Sequence, residues 1–414
     1  MLRIDGHAYS PTILQRILHM AAVSSSFDQA EVSLKVVGEL EISDRQINKL
    51  AKEMGSELAN RRNTQTEEFV TQPLPRLATP PATPIDLAAV FTDGGRMRTR
   101  ETGRGRGVHN ARWRETKNAA FHRMISKSFE IDPQPELPDC FCNEGYVEKL
   151  VRGLKSLKKQ GRDEESLNEE TASDSEPFPS DCPVWQPETT FRSYLSSLAS
   201  SDEFGPMMAA TADARGFFQA SKQAFLGDGQ AYNWTIQRRW FPTFVAIADF
   251  VHVVEYVYEA AKALQPDPEA RWRRYVRWVT DCWQGRVAVV IEELTQWQSQ
   301  QEPMSSEVPE TDPRRIVSST LTYLRNNQPR MDYPRYRREG LPVTSSLAES
   351  MVKQVSKRVK GTEMFWEDGD GGEAILQLRA AVLSDGEPLY AFLATRHISP
   401  FSPRCRAGSL ATAS

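Results

Sequence analysis

"FLGDGQAYNW" (225–234) begins as a buried strand and stops abruptly at Gly227–Asp228–Gly229. Asp-Gly very often marks a plain turn, because both residues tolerate the backbone angles a turn requires. The same arrangement recurs in "AAVFTDGGR" (88–96), where a second apolar strand ends in Asp93 followed by glycine. Two acids at two strand ends allow another reading, in which both carboxylates serve one site and glycine lets a bulky ligand come close. Spacing alone leaves the two readings open.

Working outward, 414 residues suffice for two or three domains. With 39% hydrophobic and 26% charged residues the composition is that of an ordinary globular chain. The start, "MLRIDGHAYS", lacks the apolar core of a signal peptide, and no run of eighteen apolar residues occurs. A soluble protein of the cytoplasm, with no membrane partner, is expected. Cys140 and Cys142 form a C-x-C while Cys182, Cys282 and Cys405 are scattered, which matches no structural zinc pattern and predicts reduced thiols. The net charge of −4 does not advertise a nucleic-acid binder, yet charge is segregated. "DEESLNEETASDSE" (163–176) carries seven acids, whereas 96–117 and 330–339 are basic, so a basic face is allowed.

Residues 10–22 open with Ser10 and Pro11 in cap and first-turn positions and predict a helix. A second is expected over 26–40, with Ala30, Leu34, Val37 and Val36 facing inward. A third is expected over 41–61, capped by Ser43 and burying Ile47, Leu50 and Met54. The last two read either as a helix-turn-helix, with Arg45, Gln46, Asn48 and Lys49 where base edges are reached, or as a plain helical hairpin. Five prolines in 71–84 predict a linker. Beyond it, 85–95 reads as a buried strand with a turn, 96–102 as an exposed partner strand and 112–124 as a third strand. A further buried strand is expected at 222–229, and 242–264 turns from strand to helix. From 267 to 328 the pattern is helical, with Trp272, Trp278, Trp283 and Trp297 as core anchors. Helices are expected again at 345–361 and 371–386.

Two further acids and a histidine carry chemistry. Glu349 lies one turn into the expected helix at 345–361, on one face with Lys353 and Lys357. That row reads as a solvated salt-bridge face or as an acid facing a metal beside lysines that grip phosphate. Asp249 and His252, at i and i+3, form a weak metal motif or a structural pair locking the strand-to-helix corner.

At these residues the chain resembles a bacterial insertion-sequence transposase of the DDE type, nearest the Kra-type group. The matching pieces are "FTDGGRMRTRE", "WRETK", "FLGDGQAYNWTI", "FPTFVAIADFVHVVEYV", "LPVTSSLAESMVKQVSKRVKGTEMFW" and "GGEAILQLRAAV", in that order over roughly 86–385. The resemblance implies an α+β chain with an N-terminal helical, helix-turn-helix-like DNA-binding region (1–62) and a Pro-rich linker (63–85). An RNase H-like core of mixed sheet flanked by helices would follow (86–264), interrupted by an all-helical insertion (265–335). The core would resume at 336–395 and end in a disordered tail (396–414). It implies Asp93, Asp228 and Glu349 as catalytic, metal-holding acids and Asp249 with His252 as the signature preceding the insertion. Lys353, Lys357, Arg358 and Lys360 would line the phosphate path, and Arg45, Gln46 and Lys49 would contact DNA. Two Mg²⁺ (or Mn²⁺) ions, duplex DNA as terminal repeat and target, and a homodimer or higher oligomer are implied with it. The activity would be cleavage at element ends and strand transfer. The alternative is a catalytically inactive or domesticated transposase-derived DNA-binding protein.

Overall fold

The structure, a computed structural model, describes residues 9–73, 83–100, 112–159, 184–302, 308–345, 366–367 and 370–396. Among them the fold is α+β: a mixed sheet covered by helices. The strands are β1 (Leu87–Arg100), β2 (Arg112–Ile125), β3 (Glu188–Ser197), β4 (Lys222–Gly227), β5 (Val245–Ala248) and the short β6 (Trp366–Glu367). Their order is β3-β2-β1-β4-β5, with β6 beside the far end of β1. β2 runs antiparallel to β1 and β3, while β4 and β5 run parallel to β1. Val90, Phe91, Phe225, Leu226 and Ile247 are buried, which explains the near-continuous apolar runs of the central parallel strands.

The turn expected at Asp93 is absent. β1 continues straight through Asp93, Gly94 and Gly95, which pair with Asn118, Lys117 and Thr116 of β2. Residues 96–100 therefore prolong β1, and its antiparallel partner is 112–125 rather than 96–102. Pairing along β2 overrides the turn preference of Asp-Gly. On the other edge β4 accompanies β1 only as far as Thr92, opposite Gly227. Asp93 is thus where the sheet opens.

Three helices lead the chain: α1 (Pro11–Val23), α2 (Phe27–Gly38) and α3 (Asp44–Thr71), capped by Ser10, Ser26 and Ser43. α2 buries Ala30 and Leu34, but Val36 and Val37 are exposed, contrary to expectation, because the helix ends at Gly38 and the chain turns at Glu39 in the left-handed region. α3 runs to Thr71, past the boundary expected at residue 62, so the first part of the linker placed at 63–85 is helix. Nor does this head stand apart. Gly55 meets the backbone of Ala374 so closely that an added Cβ would collide with it. Arg62 pairs with Glu373, and Arg396 grips Glu57 through two hydrogen bonds of 2.7 and 2.6 Å. Glu373 and Ala374 belong to α12 (Asp370–Leu383), and Arg396 follows α13 (Pro388–Thr395). Head and sheet share one apolar core.

The middle of the chain supplies α4 (Glu144–Lys159), α5 (Ser201–Asp213), α6 (Ala231–Trp240) and α7 (Phe250–Leu264). Then come the helices of the expected insertion, α8 (Pro268–Trp283), α9 (Val287–Ser299) and α10 (Pro313–Asn327), with α11 (Tyr333–Arg338) leading back. Trp278 and Trp283 are fully buried, while Trp272 and Trp297 are only partly so. Arg337, also fully buried, lies over the Trp283 ring at 4.0 Å and makes paired hydrogen bonds of 2.8 and 2.6 Å to Asp132. That pair ties the acidic, Pro-rich segment after β2 to the insertion's exit. Cys140 is disulfide-bonded, against the expectation of reduced thiols, while Cys142 and Cys282 are free. The compartment argument for free thiols says nothing about which cysteines the fold brings together. No described helix is long and apolar enough to cross a membrane.

Candidate active site

The parallel register aligns three acids. Thr92 pairs with Gly227, and Gly227 pairs with Ala248, so Asp93, Asp228 and Asp249 are the next residues on three adjacent strands. Neighbouring strands lie about 4.8 Å apart, which sets the carboxylates in a row at one end of the sheet. Such strand ends, where the chain leaves a sheet, are where α/β proteins commonly place ligands.

Each acid is held differently. Asp228, 8% exposed, accepts hydrogen bonds from the Gln230 backbone N–H (3.0 Å), Gln230 Nε2 (2.7 Å) and Asn233 Nδ2 (2.7 Å). Asn233 is fully buried, and its carbonyl oxygen accepts from the Thr92 hydroxyl at 3.3 Å, so one amide ties the ends of β1 and β4 together. Half-buried Asp93 accepts from the Gly94 backbone N–H at 2.7 Å. Burial and the charge of Asp228 push its carboxyl up to about 6, opposed by His252 and the Gly94 hydrogen bond, with Asp249 adding to the rise. Asp249 is buried, caps α7 through the Val251 N–H, and accepts from both the backbone and the hydroxyl of Ser345. Burial raises its carboxyl, while His252 and these hydrogen bonds hold it down. With both oxygens engaged, Asp249 acts as a clamp on the returning chain. His252, also buried, lies with Nδ1 3.5 Å from Glu255.

Asp93, Asp228, Asp249 and His252 meet within electrostatic reach of one another. Glu349, Lys353, Lys357, Arg358 and Lys360 lie outside the described residues. Arg45, Gln46 and Lys49 sit in the first turns of α3, with Arg45 and Lys49 exposed. No family model and no curated protein matches the chain.

Among the described residues no group of three His, Cys, Asp or Glu is placed to hold a metal ion. Asp93 and Asp228 form a pair only. Even so, the pair suits a hard cation, since each negative charge works against the other and Mg²⁺ needs only one or two carboxylates while keeping its waters.

Several neighbours escaped the sequence reading. Lys117 Nζ lies 4.2 Å from the Tyr232 ring centroid and 2.6 Å from Glu115, beside the acids. Above Asp228 the insertion contributes Tyr323 and Asn327. Tyr323 stacks on Tyr256 of α7 (3.9 Å between centroids, 12° between planes), and Asn327 donates to the Gly229 carbonyl at 3.3 Å. Asn327 also accepts from Trp234 Nε1 at 2.7 Å. Gly229 has φ +95°, and a Cβ there would strike the Tyr323 ring, so this glycine is demanded by the fold itself. Nothing in the periodicity of α10 distinguishes these residues from other helix-facing positions.

Proposed function

We propose that this chain is a DDE-type DNA transposase that cuts phosphodiesters at the ends of an insertion sequence and joins them to target DNA. The observation that carries the reading is the in-register alignment of Asp93 and Asp228 at the ends of two neighbouring parallel strands. Three antiparallel strands followed by two parallel ones, in the order β3-β2-β1-β4-β5, suit an RNase H-like core, and helices α8–α10 between α7 and α11 suit the expected insertion.

In this reading Asp93 and Asp228 hold Mg²⁺ or Mn²⁺ and Glu349 completes the set. Such ions would supply Lewis-acid activation of an attacking oxygen and charge stabilisation of a leaving one. The protein's own part is positional. Asn233 and Gln230 fix the Asp228 carboxylate, Asn233 couples it to β1, and Asp249 anchors Ser345, where the chain comes back past the site. Duplex DNA would run over the basic residues Lys353, Lys357, Arg358 and Lys360 and be recognised through Arg45, Gln46 and Lys49, with a dimer or larger oligomer pairing two ends.

The test is purified protein with Mg²⁺ on linear duplexes carrying the ends of the genomic element. Cleaved and joined products are expected from the wild type. Asp93→Asn and Asp228→Asn should lose both products while still binding the ends. Binding without cleavage by the wild type would point instead to a domesticated DNA-binding protein, and full cleavage by either variant would refute the assignment of the acids.

A further inference from the structure

Arginines from two distant parts of the chain meet beside the candidate site. α6 begins just after the Asp228–Gln230 turn, and its last turn carries Arg238 and Arg239, both exposed. Arg330 closes the short 3₁₀ turn Gln328–Arg330 that follows α10, where the insertion leads back. Its guanidinium lies over the ring of buried Trp234 in α6, 4.5 Å from the centroid, and Nη1 donates to the Asn326 carbonyl at 2.9 Å. Trp234 in turn donates to Asn327, which holds Gly229 next to Asp228. The Arg330 head group is thus fixed through the same residues that shape the candidate site.

The fold has brought like charges together here. Arg238 lies within electrostatic reach of Arg330, and burial, then the charge of Arg238, lowers the Arg330 guanidinium below its ordinary value, while the Tyr336 phenol works the other way. Among the described residues neither Arg238 nor Arg330 forms an ion pair, and Asp332, the carboxylate nearest Arg330 in sequence, is engaged by Arg335 at 3.2 Å. A basic last turn complements a helix dipole, which accounts for Arg238 and Arg239 on their own. It does not account for a cation brought to the same place from another element and held there on an aromatic face. An anion shared by the two guanidinium groups relieves the repulsion, and the oxygens of a phosphate suit two planar donor forks. Along α6, Arg238 stands roughly 10 Å from Ala231 at about 1.5 Å per residue. That is roughly three phosphates of one duplex strand at about 3.4 Å each.

We propose that Arg238 and Arg330 form a phosphate-binding site beside the candidate active site, and that it takes a backbone phosphate of the DNA strand about three nucleotides from the bond held at the acids. This rests on the proposed DNA-cutting function for the identity of the ligand, whereas the convergence of the two arginines does not depend on it. Both act as positioning residues, one from the core and one from the exit of the helical insertion.

The experiment uses the full chain with Arg238→Gln, Arg330→Gln and, as a control, Arg239→Gln, whose arginine lies over Trp240 instead at 5.3 Å. Sodium phosphate should raise the melting temperature of the wild type beyond the effect of sodium chloride at equal ionic strength. Arg238→Gln and Arg330→Gln should each need about tenfold more phosphate for the same rise, the loss of one charge-assisted contact. Arg239→Gln removes the same charge from the same turn and should respond as the wild type does. On duplexes carrying the element ends, the double variant Arg238→Gln/Arg330→Gln should show a slope of log affinity against log salt shallower by about 0.9, one phosphate contact fewer. A wild-type phosphate response in Arg238→Gln, or an equal loss in Arg239→Gln, would overturn the site. Should Arg330→Gln fail to fold, exposed Arg238 carries the test alone. Phosphate binding through Arg238 in a protein that binds no DNA would keep the anion site and sink the transposase reading. DNA cutting by the wild type, with an unchanged salt slope in the double variant, would overturn the inference and spare that reading. A protein indifferent to both phosphate and DNA would lose both.

Discussion

Replacing Asp93 by Asn should make the metal-free protein more stable, not less. The carboxyl titrates near 6 in the folded chain against an ordinary 3.8, chiefly through burial and the charge of Asp228. As pH rises from 3.8 to 6 the unfolded chain releases its proton while the native chain keeps it, so native stability falls across that window and stays lowered above it. A difference of 2.2 pH units corresponds to about 3 kcal/mol at 1.36 kcal/mol per unit. Asp93 retains some solvent contact, and screening reduces the figure to about 2 kcal/mol. Urea unfolding in chelator at pH 7.5 should therefore show Asp93→Asn stabilised by about 2 kcal/mol, with the gain shrinking towards pH 4.5. Added Mg²⁺ should stabilise the wild type and leave the variant unmoved, because a ligand stabilises only the state that binds it. A variant no more stable than the wild type at pH 7.5, or a gain of equal size at pH 4.5, would refute the reasoning.

Three further outcomes are expected. His122 is fully buried between Phe91 and Tyr194, with neither ring nitrogen hydrogen-bonded, and burial, assisted by Arg192, lowers it to about 4 against 6.5. The unfolded chain then binds the extra proton first, so stability is lost as pH falls from 6.5 to 4. His122→Phe should remove about 2.4 kcal/mol of that acid sensitivity between pH 7 and 4.5, read as the difference between the two unfolding curves at those pH values. Gly229→Ala forces a side chain into positive φ and against Tyr323, and should destabilise by about 1–3 kcal/mol with a change in tyrosine near-ultraviolet dichroism. Unaltered dichroism would contradict the packing described. Gly55→Val should unseat α3 from α12 at a cost of about 1–3 kcal/mol and expose the head to limited proteolysis, whereas wild-type resistance would show that the two do not pack so closely.

Much of this architecture can be read from the residues, and the exceptions have identifiable causes. β4, β5 and α7 are legible because apolar runs end at acids that start or cap the next element, as Asp249 caps α7. The serine caps of α1, α2 and α3 are equally plain. Asp93 misleads because Asp-Gly-Gly has turn chemistry, while pairing with Asn118, Lys117 and Thr116 keeps it extended. Val36 and Val37 continue an apolar pattern that the end of α2 turns out to solvent. Within the candidate site, Asp93 and Asp228 stand out by their glycines. Tyr323 and Asn327 do not, because their importance comes from a loop nearly a hundred positions earlier in the chain. Gly55 looks merely like a weak helix former until Ala374 lies against it.

That last contact has a mechanical meaning. Under the proposed function, a head on a loose tether would let the protein cut at a range of distances from the sequence it grips. Here Gly55, Glu57 and Arg62 of α3 fasten the head to the far end of the same chain, and α12 in turn packs on β3. Under the proposed function the molecule behaves as a rigid gauge: the offset between the bases it reads and the bond it breaks is a length built into the protein, and lengthening residues 74–82 would leave that offset unchanged.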